Sequence, residues 1–238
     1  MTSTSAQKPL TRRGKINARV NLVIAACVFV LGTASVFVSL ADKNEADFFL
    51  EFRFMTMNGT IFTTLIALIT LIVSALELKN KRKSRVVHEK LYYFRLCSAV
   101  TETIIAVVVA MSFLPFVPDN PNILTFESFN MHVIIPPLTI FSFLADKTPE
   151  KRLSPLLRFN CAWLITCYAV IVITMIVVGW IPQEKIPYSF LDYRTHPIWY
   201  MICFGCFIYS FTYVLSFLFT DLNRRISFYW IEENETTQ

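Results

Sequence analysis

The stretch FESFNMHVIIPPLTIFSFLA, residues 126–145, decides the topology of this chain. It is short for a transmembrane helix, it contains His132, and Pro136 and Pro137 interrupt it. A hydrocarbon core of about 30 Å requires about 20 apolar residues per helix. If residues 126–145 cross the membrane as well as the clearer stretches around them, the chain has six spans. If they do not, the sidedness of everything after them is inverted.

The composition places the chain in a membrane, because 55% of its 238 residues are hydrophobic and only 16% are charged. A soluble core could not bury that much apolar surface. Short polar segments divide the chain into apolar stretches, so we predict an all-α integral membrane protein with six transmembrane helices. The predicted spans are Val20–Leu40, Thr56–Leu76, Tyr92–Leu114, Phe126–Ala145, Phe159–Ile181 and Ile198–Thr220.

Lys and Arg residues are concentrated in every second loop. They cluster before the first span and after the second, fourth and sixth, whereas the remaining loops are acidic or mixed. Because translocation disfavours Lys and Arg in short loops, both termini are predicted to be cytoplasmic. This alternation requires six spans, which favours residues 126–145 as the fourth. The predicted parts are a basic cytoplasmic tail (1–19), a six-helix transmembrane domain (20–220) and a C-terminal cytoplasmic tail (221–238).

Several function classes receive no support from the sequence. The formal net charge of +5 lies in the cytoplasmic loops and gives little reason to expect nucleic acid binding. All six cysteines fall within apolar spans, which argues against a disulfide framework. Neither a phosphate-binding glycine loop nor a zinc-ligand spacing occurs, so no cofactor or metal is expected. The sequence leaves open a bacterial plasma membrane or a eukaryotic endomembrane, and also the oligomeric state.

Polar groups inside membrane spans are functional candidates, because the bilayer offers them no water. Thr56 lies about 5 Å inside the outer surface on the second span, and His132 lies about 8 Å inside it on the fourth. A hydroxyl and an imidazole in one layer are the minimum for nucleophilic ester cleavage. Glu102 lies deeper on the third span, where it could stay protonated, bond another helix or orient His132. Threonine and histidine also serve as plain helix-to-helix hydrogen-bonding groups.

Pro136 and Pro137 affect the backbone next to His132. Neither proline has an N–H to offer the carbonyls of the preceding turn. Unsatisfied backbone is tolerated in a membrane only where protein or trapped water satisfies it, so we expect a kinked turn beside a polar cavity.

Supporting residues for ester chemistry are predicted at the same outer layer. Candidates for hydrogen-bond donation to an oxyanion are Arg53, Asn58, Asn130 and Tyr188. Asp192 would orient His132 if the last outer loop folds inward.

Three short motifs resemble landmarks of the androgen-induced-gene family: FRFMTMNGT (52–60), HVIIPPL (132–138) and PYSFLD (187–192). The resemblance implies six transmembrane helices with both ends cytoplasmic, and hydrolysis of fatty acid esters of hydroxy fatty acids by a threonine nucleophile with a histidine. Thr56 and His132 match those two residues. One departure is Thr60, where bacterial relatives often carry asparagine; Asn58 stands two positions earlier.

These observations predict an intramembrane lipid ester hydrolase, or an acyltransferase, with Thr56 as nucleophile and His132 as base. Its partners would be membrane lipids, with a fatty acyl ester as substrate. Two alternatives remain open: a non-catalytic lipid-binding membrane protein, and a small proton-linked transporter that uses Glu102.

Overall fold

The computed structural model describes residues 12–41, 43–79, 85–113, 125–146, 148–149, 152–188 and 191–235, and these ranges contain helices and no strands. The α-helices are α1 (Arg12–Ala41), α2 (Glu45–Glu51), α3 (Met55–Leu78), α4 (Arg85–Phe113), α5 (Phe126–Phe129), α6 (Ile135–Leu144), α7 (Pro155–Phe159), α8 (Trp163–Val177) and α9 (Ile198–Glu235). A π-helix, Asn130–Ile134, joins α5 to α6, and 3₁₀ turns cover Asn160–Ala162 and Gln183–Lys185.

Five helical stretches in the described part of the chain are long and apolar enough to cross a membrane. They are Ala18–Ala41, Met55–Leu78, Val87–Met111, Pro155–Val177 and Ile198–Ile226. They indicate a multi-pass membrane protein, and they coincide with five of the six predicted spans. The end of the predicted third span, Leu114, lies outside the described residues.

The predicted fourth span is helical but irregular, and it is not among those five stretches. Its first turn is α5, its middle is the π-helix, and α6 completes it. The break falls immediately before Pro136 and Pro137, whose missing N–H groups prevent a regular ladder of i→i−4 bonds there.

Both predicted tails are helical where they adjoin the predicted transmembrane domain. Residues 12–19 are the first turns of α1, and residues 221–235 are the last turns of α9. Asn223, within the predicted C-terminal tail, is fully buried. Its amide donates hydrogen bonds to the carbonyls of Phe143 (3.2 Å), Leu144 (3.1 Å) and Asp146 (2.9 Å), where α6 ends. The carbonyls at the end of a helix receive no i→i+4 hydrogen bond from within it. The Asn223 amide of α9 therefore caps the end of α6.

The helix α4 forms the centre of the bundle. Leu96, Cys97, Ala99 and Val100 have no exposed surface, and the residues packed around them come from α3, α6 and α9. Large apolar side chains on the outside remain exposed, for example Phe37 at 72% and Trp180 at 73%. Exposed apolar surface around a packed centre is the pattern expected of helices surrounded by lipid.

A buried ion pair joins three helices at the end of α6. Arg95 of α4 lies 2.5 Å from Asp146, and both side chains are about one-twentieth exposed. The guanidinium also donates to the Asn21 oxygen of α1 at 3.0 Å, and to the hydroxyl (2.8 Å) and carbonyl of Ser142. Buried charges are stable only when paired and hydrogen-bonded in this way.

Removal of one charge from this pair is expected to cost more than removal of both. Arg95→Met leaves Asp146 buried without its cation, which typically costs about 3–5 kcal/mol. The double variant with Asp146→Leu leaves no uncompensated charge, so it is expected to be more stable than Arg95→Met alone. Thermal unfolding in detergent measures the ranking, and a double variant less stable than both single variants would contradict this account.

Candidate active site

Thr56 and His132 meet between α3 and the π-helix. The Thr56 Oγ1 atom lies 3.2 Å from the His132 Nε2 atom, and both residues are partly buried. Thr56 is the second residue of α3, which begins after Phe54 in an extended conformation. The juxtaposition of these two side chains is therefore present as predicted, and the separation is that of a hydrogen bond.

The carbonyl of Ser128 fixes the protonation of the His132 ring. Its oxygen lies 2.8 Å from His132 Nδ1, and the Ser128 hydroxyl lies 3.2 Å from the same atom. Because a carbonyl oxygen can only accept, Nδ1 carries the proton in the neutral ring. Nε2 then presents its lone pair, and the Thr56 hydroxyl donates to it. The ring is thus oriented as a base toward a hydroxyl.

The π-helix sets the position of His132. In this wider turn the N–H of Ile135 donates to the carbonyl of Asn130, five residues earlier. The segment packs against α1, α3 and α4. Single π turns inside α-helices are frequent at functional sites. The irregular turn is therefore a π-helix, and it holds the imidazole on the side of the helix that faces α3.

The first turn of α3 brings further donors next to Thr56. The earliest intrahelical bond runs from the Asn58 N–H to the Phe54 carbonyl at 3.4 Å, so the N–H groups of Met55 and Thr56 have no acceptor within the helix. The Tyr188 phenol faces these two backbone groups and the Thr56 side chain. Burial raises the pKa of Tyr188, so this loop residue stays protonated at neutral pH.

The structure places the other predicted donors in different environments. The Asn58 amide donates to the carbonyls of Phe52 (2.7 Å) and Phe54 (2.9 Å), which uses both of its hydrogens on the loop before α3. Asn58 is therefore unavailable as an oxyanion donor. The Arg53 guanidinium stacks 4.6 Å from the centre of the Phe54 ring. Asn130 is buried in the π-helix.

The Arg53 backbone is held by a residue that the sequence did not single out. The Tyr168 hydroxyl of α8 donates to the Arg53 carbonyl at 2.5 Å. This bond attaches the loop before α3 to α8 and so fixes the entry of the helix that carries Thr56.

Asp192 does not orient His132, contrary to the prediction. Its Oδ1 accepts from the Arg194 N–H at 3.0 Å, and its carbonyl accepts from the Thr195 and His196 N–H groups at 3.1 Å. The carboxylate therefore stabilises its own turn. The orienting group is instead the Ser128 carbonyl. Ser128 precedes His132 by four residues, and this spacing in the sequence already places the two on one face of a helix. Ser189 and Phe190, part of the third family motif, lie outside the described residues.

A polar cavity is expected beside the turn at His132, but the small polar cavity in the structure lies farther along α6, beyond the prolines. It has a volume of about 20 Å³ and is lined by α6 residues Thr139 and Ser142 with Thr63, Ser98 and Arg95 among others. That space is enough for one water molecule. Among the described residues, no three His, Cys, Asp or Glu side chains cluster as metal ligands.

Comparison with known proteins finds no matching family model, no matching curated protein and no matching solved structure.

Gly59 permits the close approach of α3 and α4 just below Thr56. A Cβ atom at Gly59 would come within 2.4 Å of Ile105 Cδ1 and 3.3 Å of Thr101 Cγ2. At Gly205 on α9, by contrast, an added Cβ would meet nothing within 4 Å.

Gly59→Leu is expected to lower the melting temperature in detergent, because overpacking at a helix contact costs about 1–3 kcal/mol. Gly205→Leu is the matched control and is expected to leave stability unchanged or raised, since leucine is a better helix former than glycine. Equal melting temperatures for the two variants would contradict the close packing of α3 against α4.

Proposed function

We propose that this protein is an intramembrane lipid ester hydrolase in which Thr56 is the nucleophile and His132 the general base. The observation that carries the proposal is the pair itself: Thr56 Oγ1 is 3.2 Å from His132 Nε2 while Nδ1 is held by the Ser128 carbonyl. A threonine hydroxyl is a weak nucleophile unless a base lies within hydrogen-bonding reach. Here the base is in reach and in the tautomer that accepts a proton.

The proposed reaction has two steps. His132 Nε2 takes the Thr56 proton as Oγ1 attacks the ester carbonyl, and it then gives that proton to the leaving alcohol as the carbon–oxygen bond breaks. An acyl-threonine remains. His132 then deprotonates a water molecule, which attacks the acyl-threonine ester. The fatty acid leaves, and His132 returns the proton to the Thr56 oxygen. A second lipid alcohol in place of water would make the same residues an acyltransferase.

The start of α3 supplies the proposed oxyanion site. The N–H groups of Met55 and Thr56 lack intrahelical acceptors, and the positive end of the helix dipole lies at the same place. The Tyr188 phenol, protonated and facing these groups, is the proposed side-chain donor. Loss of one such donor typically reduces turnover by about 10²–10³-fold.

The six-span topology with cytoplasmic termini also belongs to this proposal. The irregular helix 126–144 is about 28 Å long at 1.5 Å per residue, close to the thickness of a hydrocarbon core. It packs against α1, α3, α4 and α9 as an integral part of the bundle. With six spans the basic loops all face the cytoplasm, and the Thr56–His132 pair lies near the opposite surface, at the depth of lipid ester groups.

The resemblance to the androgen-induced-gene family narrows the proposed substrates. It points to fatty acid esters of hydroxy fatty acids, or related acyl lipids, as the class cleaved. The location supports the same class, because an acyl chain can approach the site from the surrounding lipid without passing through water.

A proton-linked transporter is the second candidate, and the observation that favours it is Glu102. This carboxyl group is completely buried near the middle of α4. Ionisable groups in such places often mark ion pathways. A transporter would show a proton flux that is lost when Glu102 is replaced and unchanged when Thr56 is replaced. A non-catalytic lipid-binding protein would show neither flux nor turnover.

Labelling by a lipophilic fluorophosphonate tests the enzyme directly, since phosphonylation of Thr56 would form an oxygen–phosphorus bond and release fluoride. Wild-type protein in membranes is expected to label, and Thr56→Ala is expected to abolish labelling. His132→Ala should lower ester turnover by about 10²–10⁴-fold, whereas Thr56→Ser should keep a measurable rate. Thr103→Ala is the control, because its hydroxyl merely donates to the Ala99 carbonyl of its own helix.

Normal turnover by well-expressed His132→Ala protein would remove the imidazole from the mechanism. Labelling that persists in Thr56→Ala would assign the nucleophile elsewhere.

Single cysteines in a cysteine-free background test the topology. With six spans, a membrane-impermeant maleimide should reach Thr195→Cys from outside the cell, and Ser154→Cys only after permeabilisation. Both positions are exposed and flank the fifth predicted span. With only five spans the pattern would reverse, because residues 126–144 would no longer carry the chain across.

A further inference from the structure

Four buried residues below the Thr56–His132 pair have side-chain oxygens without hydrogen-bond partners. They are Ser35, Thr60, Thr101 and Glu102, which we call the orphan layer. Each has no exposed surface, and among the described residues neither Glu102 oxygen has a partner. Native interiors contain few such groups, and each requires an explanation such as a bound water or ion.

The contacts of α3 with α4 bring three of these residues to one level. Gly59 lies against Thr101, and the Thr63 hydroxyl bonds the Ser98 hydroxyl at 2.8 Å. Thr60 follows Gly59 on α3. Glu102 follows Thr101 on the antiparallel α4, so the two residues lie at about the same level. The Thr63 side chain also faces the Glu102 carboxyl. A threonine hydroxyl that is paired with Ser98 therefore lies beside the carboxyl group.

The helices α1 and α6 reach the same level. Gly32 of α1 packs against Thr64, and Ser35 lies one turn above it. Arg95 of α4 bonds Ser142 of α6, and the two helices are antiparallel. Seven residues farther along α4 is Glu102, and seven residues back along α6 is Ile135, so these two lie at the same level. The carbonyls that Pro136 and Pro137 cannot satisfy point along the helix toward this level. Four helices thus direct oxygen atoms to one layer.

Among the described residues, no Lys or Arg is paired with Glu102. Arg95 lies two turns away along α4, about 10 Å, and is already paired with Asp146. An isolated carboxylate in a membrane interior is strongly unfavourable. One carboxylate among neutral hydroxyl and carbonyl oxygens matches a single positive charge. Divalent ions are usually held by several carboxylates.

We propose that the orphan layer binds a monovalent cation, Na⁺, with Glu102 as its charged ligand and Thr60 and Thr101 as hydroxyl ligands. Broken helices whose freed carbonyls coordinate Na⁺ occur in membrane transporters for the same physical reason. A cavity of about 20 Å³, large enough for one water, borders Thr63 and Ser98 next to this layer, although the proposed ligands themselves do not line it. Bound Na⁺ would tie α1, α3, α4 and α6 together directly below the candidate active site.

The test is the melting temperature of the purified full chain in detergent, measured in NaCl and in choline chloride at equal ionic strength. Na⁺ is expected to raise the melting temperature of the wild type in a saturable manner, because a ligand that binds only the folded state stabilises it. Glu102→Gln keeps the shape of the side chain and removes its charge, so the Na⁺-dependent shift should disappear.

Thr60→Val and Thr212→Val form the matched pair for this test. Both threonines are fully buried, but the Thr212 hydroxyl is already satisfied by the Ile208 carbonyl at 2.8 Å. Thr60→Val should weaken the apparent Na⁺ affinity at least tenfold, and Thr212→Val should leave it unchanged. Equal melting temperatures in Na⁺ and choline for the wild type, or an undiminished Na⁺ shift in Glu102→Gln, would overturn the site. If a variant shows no melting transition, binding of radioactive ²²Na⁺ to the folded protein tests the site instead, with loss of binding expected in Glu102→Gln.

Discussion

The hydrogen bond between His132 Nδ1 and the Ser128 carbonyl is the interaction on which the candidate active site depends. It fixes one ring nitrogen as a donor and so leaves the other as an acceptor, 3.2 Å from the Thr56 hydroxyl. No carboxylate is needed for this arrangement, because a backbone carbonyl one turn earlier selects the tautomer equally well. The proposed chemistry follows from that selection and from the N–H groups at the start of α3 that have no acceptor within the helix.

The proline-interrupted helix connects the candidate active site with the buried polar groups below it. Pro136 and Pro137 prevent a regular ladder, and a π turn precedes them at His132. In lipid, the backbone groups released by such a break must find partners within the protein. The proposed Na⁺ layer around Glu102 is one way in which this bundle would supply them. One local irregularity therefore bears on both the proposed catalysis and the proposed ion site.

The sequence predicted the features that arise from apolar length and from depth in the membrane. Five of the predicted spans correspond to long apolar helices, and the shared depth of Thr56 and His132 correctly indicated that they meet. Depth could not predict loop conformation, so the sequence could give Asp192 only a conditional role toward His132, and its carboxylate instead accepts a hydrogen bond within its own turn. Residue type alone also could not show that the Asn58 amide donates its hydrogens to the Phe52 and Phe54 carbonyls. Hydrogen bonds to backbone carbonyls, as at Ser128, leave little trace in side-chain identity.

The most direct measurement of the central claim is mass spectrometry of the protein after brief incubation with a fatty acyl ester and rapid acid quench. An acyl group is expected on the peptide that contains Thr56, localised to that side chain. The adduct should disappear as substrate is exhausted. Acylation of a different residue, or ester turnover without any acyl-enzyme on Thr56, would contradict the claim.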